Sequence, residues 1–287
     1  MPATNQIDLL VSAIDTHGSP ACVGIDPVFS KLPDALRSGS ETDAIETFSL
    51  SVLDAIKGTV PAIKPQSACF ERYGSAGYAI LEKVIAKGRD LGFVVILDAK
   101  RGDIGSSAQH YAEGAADMGA HFITVSPYMG PSTIEPFLDA GLGVFALART
   151  SNPDSDAVQL NKLADGRHVV HAISSMIAQM GSKYNGSSGM SALGAVVGAT
   201  KAADEMGTLR EIMPDQMFLV PGVGAQGGTV DDVRPMCRAG ASSAGQLGVI
   251  VNASRSVLYP GSEGADWQQA IKSAAIEFAD SLRTLVS

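Results

Sequence analysis

Short apolar runs recur along the chain, and longer stretches in which apolar residues follow helical spacing separate them. Each run is rich in Val, Ile, Leu or Phe, which is typical of parallel strands buried on both faces. The runs are Ala21–Ile25, Val60–Ile63, Phe93–Leu97, Phe122–Val125, Val144–Leu147, Leu193–Val197, Met217–Val220 and Leu247–Val251. The helical segments include Thr42–Ile56, Gly77–Leu91, Ser106–Met118, Val230–Ala239 and a last helix at Trp267–Leu285. Eight strands that alternate with helices predict a parallel α/β fold.

Polar residues follow most of these runs, and their distribution distinguishes a closed barrel from an open sheet. They are Asp26, Lys64, Asp98, Ser126, Arg149, Gln226 and Arg255, after runs one to five, seven and eight. Polar groups from many strand ends are characteristic of a (β/α)8 barrel, whose active site lies at the C-terminal ends of the strands. An open sheet would concentrate them at one switch point. We therefore predict that residues 1–287 form a single (β/α)8 TIM barrel, since neither an internal repeat nor a domain linker is evident.

Two polar segments interrupt this alternation of strands and helices. Thr150–Asp165 reads as a long loop after the fifth strand, and Gly181–Ser191 is a Gly- and Ser-rich stretch before the sixth. Either segment can be a lid or a solvated connection, and for the second the solvated connection is favoured. The sequence leaves the roles of Arg149 and of residues 151–153 open.

Charge and cysteine content narrow the range of partners. The net charge is −9, which argues against non-specific nucleic-acid binding, although a local cluster of Lys and Arg can still hold a small anion. The three cysteines are scattered and include no C-x-x-C pair, so we predict a reduced cytoplasmic protein without a disulfide framework or zinc site. No apolar run reaches the roughly 20 residues that span a bilayer, and the N-terminus lacks the order of a signal peptide. We therefore expect no membrane association.

The densest group of charged residues follows the third run, in the segment LDAKRGDI at residues 97–104. Asp98 and Lys100 are two residues apart, so both can face the barrel mouth, and Asp103 falls in the following turn. Nearby carboxylates favour a protonated Lys100, which suits it to donate a proton to a carbanion and not to act as an amine nucleophile. A surface salt-bridge cluster is the alternative, and the buried strand before the segment argues against it.

Lys64 directly follows the second run, where an unpaired ammonium group would be costly to bury. Asp98, at the end of the neighbouring strand, is its natural partner. Lys64, Asp98, Lys100 and Asp103 would then form a network of two cations and two anions. Such a network can be structural, but in a barrel mouth it is a candidate catalytic site.

A glycine-rich loop with the sequence VPGVGAQGG, at residues 220–228, follows the seventh run. It matches G-x-G-x-x-G, but no acidic residue of the kind that a dinucleotide site needs occurs between residues 233 and 262. Barrels often hold a phosphate in the loops after strands seven and eight, where backbone N–H groups and Arg255 could bind it. We therefore predict a phosphate site here. The histidines lack carboxylates at ligand spacing, so no metal site is predicted.

These residues resemble the orotidine 5'-phosphate decarboxylase family over nearly the whole chain, from VGIDP at residues 23–27 to NASRS at residues 252–256. The D-x-K-x-x-D-I run is the signature of that family, and the chain is similar to its longer bacterial subgroup. Two departures are visible. Ser254 stands where shorter members commonly have Gly, and Ser107 stands where Thr is common.

The resemblance implies cofactor-independent decarboxylation of orotidine 5'-phosphate to uridine 5'-phosphate, the last step of de novo pyrimidine nucleotide synthesis, in a cytoplasmic homodimer. Lys64, Asp98, Lys100 and Asp103 match the catalytic array, and Lys100 would protonate the carbanion at C6. Further substrate-binding positions are Asp26 and Lys64 for the ribose, Ser126 for the pyrimidine edge, Gln226 between phosphate and base, Arg255 for the phosphate, and Pro221 and Ser254. The partner subunit would donate Asp103, Ile104 and Ser107 to a shared site.

Two other functions compete with this one. A magnesium-dependent sugar-phosphate decarboxylase or aldolase of the same barrel superfamily would share the D-x-K-x-x-D run. Such enzymes usually have an acidic residue just before the second-strand Lys, whereas Ala62 and Ile63 precede Lys64 here. The third possibility is a non-catalytic barrel that binds a phosphate ligand, and the intact charge array argues against it. No metal or organic cofactor is expected.

Overall fold

The computed structural model describes residues 5–224, 227–261 and 266–286, and its parallel strands close into a barrel. Each strand pairs with the next along the chain, and the last pairs with the first. The strands are β1 Ala21–Ile25, β2 Ala62–Pro65, β3 Val94–Arg101, β4 Phe122–Val125, β5 Gly143–Arg149, β6 Ser191–Val197, β7 Gln216–Pro221 and β8 Val249–Ala253. The predicted (β/α)8 fold class is therefore confirmed.

Helices connect the strands and cover the outside of the barrel. They are α1 Gln6–His17, α2 Glu41–Ile56, α3 Ser67–Glu71, α4 Gly74–Asp90, α5 Gly105–Asp117, α6 Glu135–Asp139, α7 Asp156–Gln159, α8 Val169–Gly181, α9 Ala203–Ile212, α10 Arg255–Leu258 and α11 Trp267–Arg283. Short 3₁₀ helices lie at Phe29–Lys31, Asp34–Leu36, Pro131–Thr133, Pro153–Ser155, Asp231–Met236 and Gly245–Leu247. Among the helices in the described ranges, none has both the length and the apolar character that crossing a bilayer requires.

Several element ends differ from the sequence-based boundaries by two or three residues, and three segments differ more. The predicted helix at Val230–Ala239 is only a 3₁₀ helix over Asp231–Met236, because Pro235 lacks the N–H that an α-helix needs. The predicted loop Thr150–Asp165 contains a 3₁₀ turn and α7. The third strand continues four residues beyond Leu97, to Arg101.

The N-terminal end of the barrel is closed by α1. Its residues Ile7, Leu10 and Ile14 are fully buried. The Asp8 carboxylate accepts hydrogen bonds from backbone N–H groups of the loop before β6, and Asp15 accepts one from the N–H of Gly245, before β8, at 2.6 Å. Because α1 covers this end, the barrel is accessible at the opposite end, where the strands terminate.

A buried arginine in α9 joins several segments at the N-terminal ends of β7 and β8. The guanidinium of Arg210 lies 3.6 Å from the ring centroid of Phe218. It donates to the carbonyl oxygens of Met213, Gln216, Met236 and Gly248 at 2.7–2.8 Å. Burial lowers the pKa of Arg210 to about 9, which still leaves it charged at neutral pH. Arg210 therefore connects segments at the end of the barrel opposite to the C-terminal ends of the strands.

Candidate active site

A cavity of about 570 Å³ opens at the C-terminal ends of the strands. Its polar side is lined by Asp26, Lys64, Gln66, Asp98, Lys100, Thr124 and Asn252, from β1 to β4 and β8. Its apolar side is lined by Leu147, Val196 and Leu219, from β5 to β7. A ligand with one polar and one apolar edge would complement such a cavity.

Asp98 is the centre of the charge cluster predicted from the sequence. It is 5% exposed, and its carboxylate accepts a hydrogen bond from each of four side chains. Oδ2 accepts from Lys64 Nζ at 2.6 Å and from Gln66 Nε2 at 3.0 Å. Oδ1 accepts from Lys100 Nζ at 2.6 Å and from Thr124 Oγ1 at 2.8 Å. These donors occupy the roughly four lone-pair positions of an ionised carboxylate, so its orientation is fixed.

The electrostatics of the cluster keep its buried members charged. Burial alone would raise the pKa of Asp98, but the charges of Lys64 and Lys100 and their hydrogen bonds hold it well below its usual range. Burial alone would lower the pKa of Lys64, but the charges of Asp98 and Asp26 raise it above its usual range. The cavity therefore contains a fixed anion between two lysines at neutral pH.

A bulge at the end of β3 brings Lys100 to the cavity. Leu97 pairs with Ile123 and Arg101 pairs with Val125, so three residues of β3 oppose Thr124 alone. Within the described ranges, Lys100 is the only non-glycine residue with positive φ, at 45°. This conformation costs on the order of 1–3 kcal/mol and is typical of functional sites. Asp98 and Lys100 do share the barrel mouth, as the sequence predicted, but through this bulge and not through a regular strand.

Asp103, Ile104 and Ser107 are not part of the cavity lining of their own chain. Asp103 is in the turn between β3 and α5, where its Oδ1 accepts a hydrogen bond from the N–H of Ile104 at 2.8 Å. Ile104 and Ser107 are exposed, and none of these three residues lines the cavity. The structure therefore brings together Lys64, Asp98 and Lys100 of the predicted array but not Asp103.

The predicted phosphate side of the cavity is formed by the ends of β7 and β8. Pro221 and Gly222 line it on one side, and Ser254 and Arg255 line it on the other. A Cβ at Gly24 in β1 would overlap with the Ser254 hydroxyl, so a larger residue at this position would force Ser254 to shift. The predicted contact Gln226 lies outside the described residues.

Asp26 lines the cavity at the end of β1, and an aromatic residue fixes the backbone around it. The Tyr259 hydroxyl accepts a hydrogen bond from the N–H of Val28 at 2.8 Å and donates to the carbonyl oxygen of Asp26 at 3.2 Å. Burial raises the pKa of Tyr259 to about 12, so it stays protonated and can donate. Tyr259 follows α10, and it therefore connects the segment that begins with Arg255 to the loop that begins with Asp26.

Ser126 does not line the cavity, although it follows β4 as the sequence predicted. Its backbone N–H donates to the carbonyl oxygen of Arg101 at 2.6 Å and extends the pairing of β3 with β4. The wall on the far side of the cavity includes Thr150, Ser151 and Asn152. The sequence contains a signal for these three residues, since they directly follow β5.

Arg149 is buried beneath this wall, which answers the question that the sequence left open. Its guanidinium donates to Glu205, Asp156, Ser155 and Gln159. Glu205 belongs to α9, and the other three residues belong to the segment after β5. Arg149 does not line the cavity, so its contacts indicate that it anchors this segment to α9.

The sequence interpretation missed several polar residues that line the cavity, namely Lys31, Gln66, Thr124 and Asn252. Gln66 and Thr124 both donate to Asp98, and Asn252 donates from Nδ2 to the Ser254 hydroxyl at 3.3 Å. Thr124 is the one polar residue in the apolar run FITV, which is the signal that could have identified it. In the described part of the chain, no group of three or more His, Cys, Asp or Glu residues is arranged to hold a metal ion.

Comparison with known proteins places this geometry in context. Residues 20–270 match the sequence profile of the orotidine 5'-phosphate decarboxylase / HUMPS family. The chain is 36% identical to the orotidine 5'-phosphate decarboxylase of Rhodopirellula baltica, over 96% of this chain and 97% of the relative. It is 40% identical to that of Roseiflexus castenholzii, over 97% of both chains.

Solved structures show the same similarity. A crystal structure from Streptomyces avermitilis superimposes with a TM-score of 0.84 at 38% identity, covering 100% of this chain and 97% of the other. The Leishmania donovani OMP decarboxylase superimposes with a TM-score of 0.77 at 29% identity, covering 99% of both chains.

Proposed function

The chain belongs to the orotidine 5'-phosphate decarboxylase / HUMPS family, and we infer that its cavity is the site where orotidine 5'-phosphate is decarboxylated to uridine 5'-phosphate. This reaction is a step of pyrimidine nucleotide synthesis. The observation that supports the site assignment best is the fixed cluster of Lys64, Asp98 and Lys100 in the cavity. Its charges are in place before any substrate binds, as electrostatic preorganisation requires.

We propose that Lys100 supplies the proton. The substrate carboxylate would lie beside Asp98, and the bond between C6 and that carboxylate breaks to release carbon dioxide. The electron pair stays on C6, where the ammonium of Lys100 stabilises the developing negative charge. Lys100 then transfers one proton to C6, which yields uridine 5'-phosphate and a neutral amine. The 2.6 Å contact with Asp98 Oδ1 supports this role, because it fixes the ammonium group at the cavity.

We propose that different walls of the cavity bind different parts of the substrate. We assign the ribose hydroxyls to Asp26 and Lys64, and the phosphate to the ends of β7 and β8 with Pro221, Ser254 and Arg255. Gln226 would complete the phosphate side. We assign the pyrimidine edge to the wall formed by residues 150–152 and not to Ser126, because that wall lines the cavity. Phosphate binding far from C6 supplies energy that can close loops around the ring.

We further propose a cytoplasmic homodimer with shared active sites. Asp103, Ile104 and Ser107 do not line the cavity of their own chain, so they are available to complete the cavity of a partner subunit. Exposed Ile104 and Tyr111 also provide apolar surface on this side of the barrel. Two-fold symmetry would place the Asp103 of each chain near the Lys100 of the other.

Turnover of orotidine 5'-phosphate, followed by the loss of its ultraviolet absorbance, tests the proposed function. We expect the wild-type protein to be active and to remain active in the presence of a chelator. Lys100→Ala should abolish turnover and leave uridine 5'-phosphate binding largely intact. Near-normal turnover by this variant would contradict the assignment of Lys100, and loss of activity with the chelator would favour the magnesium-dependent alternative.

Complementation tests the shared site. Lys100→Ala and Asp103→Ala should each be nearly inactive as homodimers. After mixing and free exchange, about half of the dimers would be mixed, and each would contain one intact site and one doubly altered site. We therefore expect roughly a quarter of the wild-type activity to return. If exchange is confirmed independently and no activity returns, Asp103 acts within its own chain.

A further inference from the structure

Thr124 occupies a special position opposite the bulge of β3. It is the single β4 residue that faces Asp98, Ala99 and Lys100 of the neighbouring strand. The side chain is 1% exposed and lines the cavity. The resemblance to the family assigned it no role.

The Thr124 hydroxyl makes two hydrogen bonds of defined direction. Its oxygen accepts from the backbone N–H of Lys100 at 2.9 Å. Its single proton is donated to Oδ1 of Asp98 at 2.8 Å. The same Oδ1 accepts from Lys100 Nζ at 2.6 Å. One hydroxyl therefore contacts both the backbone of Lys100 and the carboxylate that its ammonium group binds.

The bulge explains why a side chain is needed at this point. Three residues of β3 oppose one residue of β4, so the regular ladder between the strands is interrupted from Asp98 to Lys100. The Thr124 hydroxyl supplies the acceptor for the Lys100 N–H in this interruption. Without it, a partly buried N–H group and one lone pair of Asp98 would lose their partners. The left-handed backbone of Lys100, with φ at 45°, would lose the contact that holds it.

We propose that Thr124 is a positioning residue of the decarboxylase, whose hydroxyl fixes the Lys100 backbone and the Asp98 carboxylate in one arrangement. This inference rests on the proposed function. Thr124 does not take part in proton transfer. It determines where the Lys100 ammonium group lies when the carbanion forms, so it acts on the chemical step and not on nucleotide binding.

Three variants test the proposal. Thr124→Val keeps the shape of the side chain and removes the hydroxyl, whereas Thr124→Ser keeps the hydroxyl. Thr133→Val is the matched control, because Thr133 is also buried and donates its hydroxyl at 2.8 Å, but to the carbonyl oxygen of Gly130 in a loop away from the cavity. Thermal unfolding of each variant checks that the barrel is folded.

We expect kcat of Thr124→Val to fall about 10- to 100-fold, the size of effect that a misplacement of about 1 Å can produce. KM for orotidine 5'-phosphate and Kd for uridine 5'-phosphate should change less than about 3-fold, since the groups assigned to ribose and phosphate are unaltered. Thr124→Ser and Thr133→Val should keep kcat within about 3-fold of the wild type.

Other outcomes would overturn the proposal. A normal kcat for Thr124→Val would show that the hydroxyl does not position Lys100. A loss for Thr124→Ser as large as that for Thr124→Val would show that the hydroxyl alone does not preserve kcat, and the effect could not be assigned to its hydrogen bonds. If the wild-type protein itself fails to decarboxylate orotidine 5'-phosphate, the proposed function is wrong. A crystal structure of Thr124→Val then tests the positioning alone, because an unchanged left-handed Lys100 would refute it.

Discussion

Replacement of the buried Arg149 should destabilise the barrel and loosen one wall of the cavity. The side chain is 1% exposed, and its Nε and Nη2 donate to the two carboxylate oxygens of Glu205 at 2.6 and 3.4 Å. Nη1 donates to Gln159 Oε1, which also accepts from the N–H of Thr150 in the cavity wall. Arg149→Met keeps most of the side-chain volume and leaves Glu205 without this partner.

The expected loss follows from the burial of the two charges. Removing one partner of a buried ion pair costs about 3–5 kcal/mol, because the other charge is left uncompensated. The Glu205 side chain is 17% exposed, so we expect a value near the lower end, about 3 kcal/mol. Asp156, the other anionic partner of Arg149, is 52% exposed and should add little. The double variant with Arg149→Met and Glu205→Gln should lose less unfolding free energy than the sum of the losses in the two single variants. We expect the difference to be roughly 1–3 kcal/mol.

Urea unfolding of the wild type, both single variants and the double variant measures this coupling. Arg167→Met is the control, since Arg167 pairs with Asp165 at an exposed site and should cost less than about 1 kcal/mol. Additive losses within about 0.5 kcal/mol would refute the coupling between Arg149 and Glu205. KM for orotidine 5'-phosphate should rise in Arg149→Met with little change in kcat, because the wall at residues 150–152 loses its anchor.

Three further predictions concern pH, packing and the phosphate. Burial lowers the pKa of His121 to about 4. The unfolded chain therefore takes up the proton first. Because solvent screens this partly exposed site, the unfolding free energy should fall by roughly 1–2 kcal/mol between about pH 6.5 and 4. His121→Asn should flatten that decline, and an unchanged slope would exclude His121 as its origin. Gly24→Ala should displace Ser254 and weaken uridine 5'-phosphate binding at least about 10-fold by calorimetry, whereas Gly39→Ala, with open space around it, should not. Arg255→Ala should weaken uridine 5'-phosphate binding by roughly 2–5 kcal/mol and barely affect uridine, and equal losses for both ligands would rule out a phosphate-specific role.

The sequence predicted the barrel well because each strand is buried on both faces and therefore reads as an apolar run. It did not predict that β3 continues past Leu97 to Arg101. That extension depends on pairing with β4 through a bulge, which is a contact between distant segments and leaves no local pattern. Thr124 is visible in the sequence as the one polar residue of its run, but its role depends on the bulge opposite to it.

The candidate site was predicted in part by the rule that functional residues follow strand ends. The rule located Asp26, Lys64 and Asp98, all of which line the cavity. It also placed Ser126 there, but Ser126 does not line the cavity, whose wall includes residues 150–152 of the segment after β5. Position along a chain indicates which end of the barrel a residue occupies, but the path of each loop decides whether its side chain reaches the cavity.

The contacts of Arg210 have a consequence for the order in which the barrel opens and closes. All four of its carbonyl acceptors lie C-terminal to it and within 38 residues along the chain. Contacts of short sequence separation form early in folding, and segments that share them tend to unfold cooperatively. We therefore expect α9, β7 and the start of β8 to behave as one unit in native-state hydrogen exchange, with similar opening free energies for their slowest amides. If Arg210 were replaced, we expect β7 and β8 to open independently of each other, and the barrel to open first between these two strands.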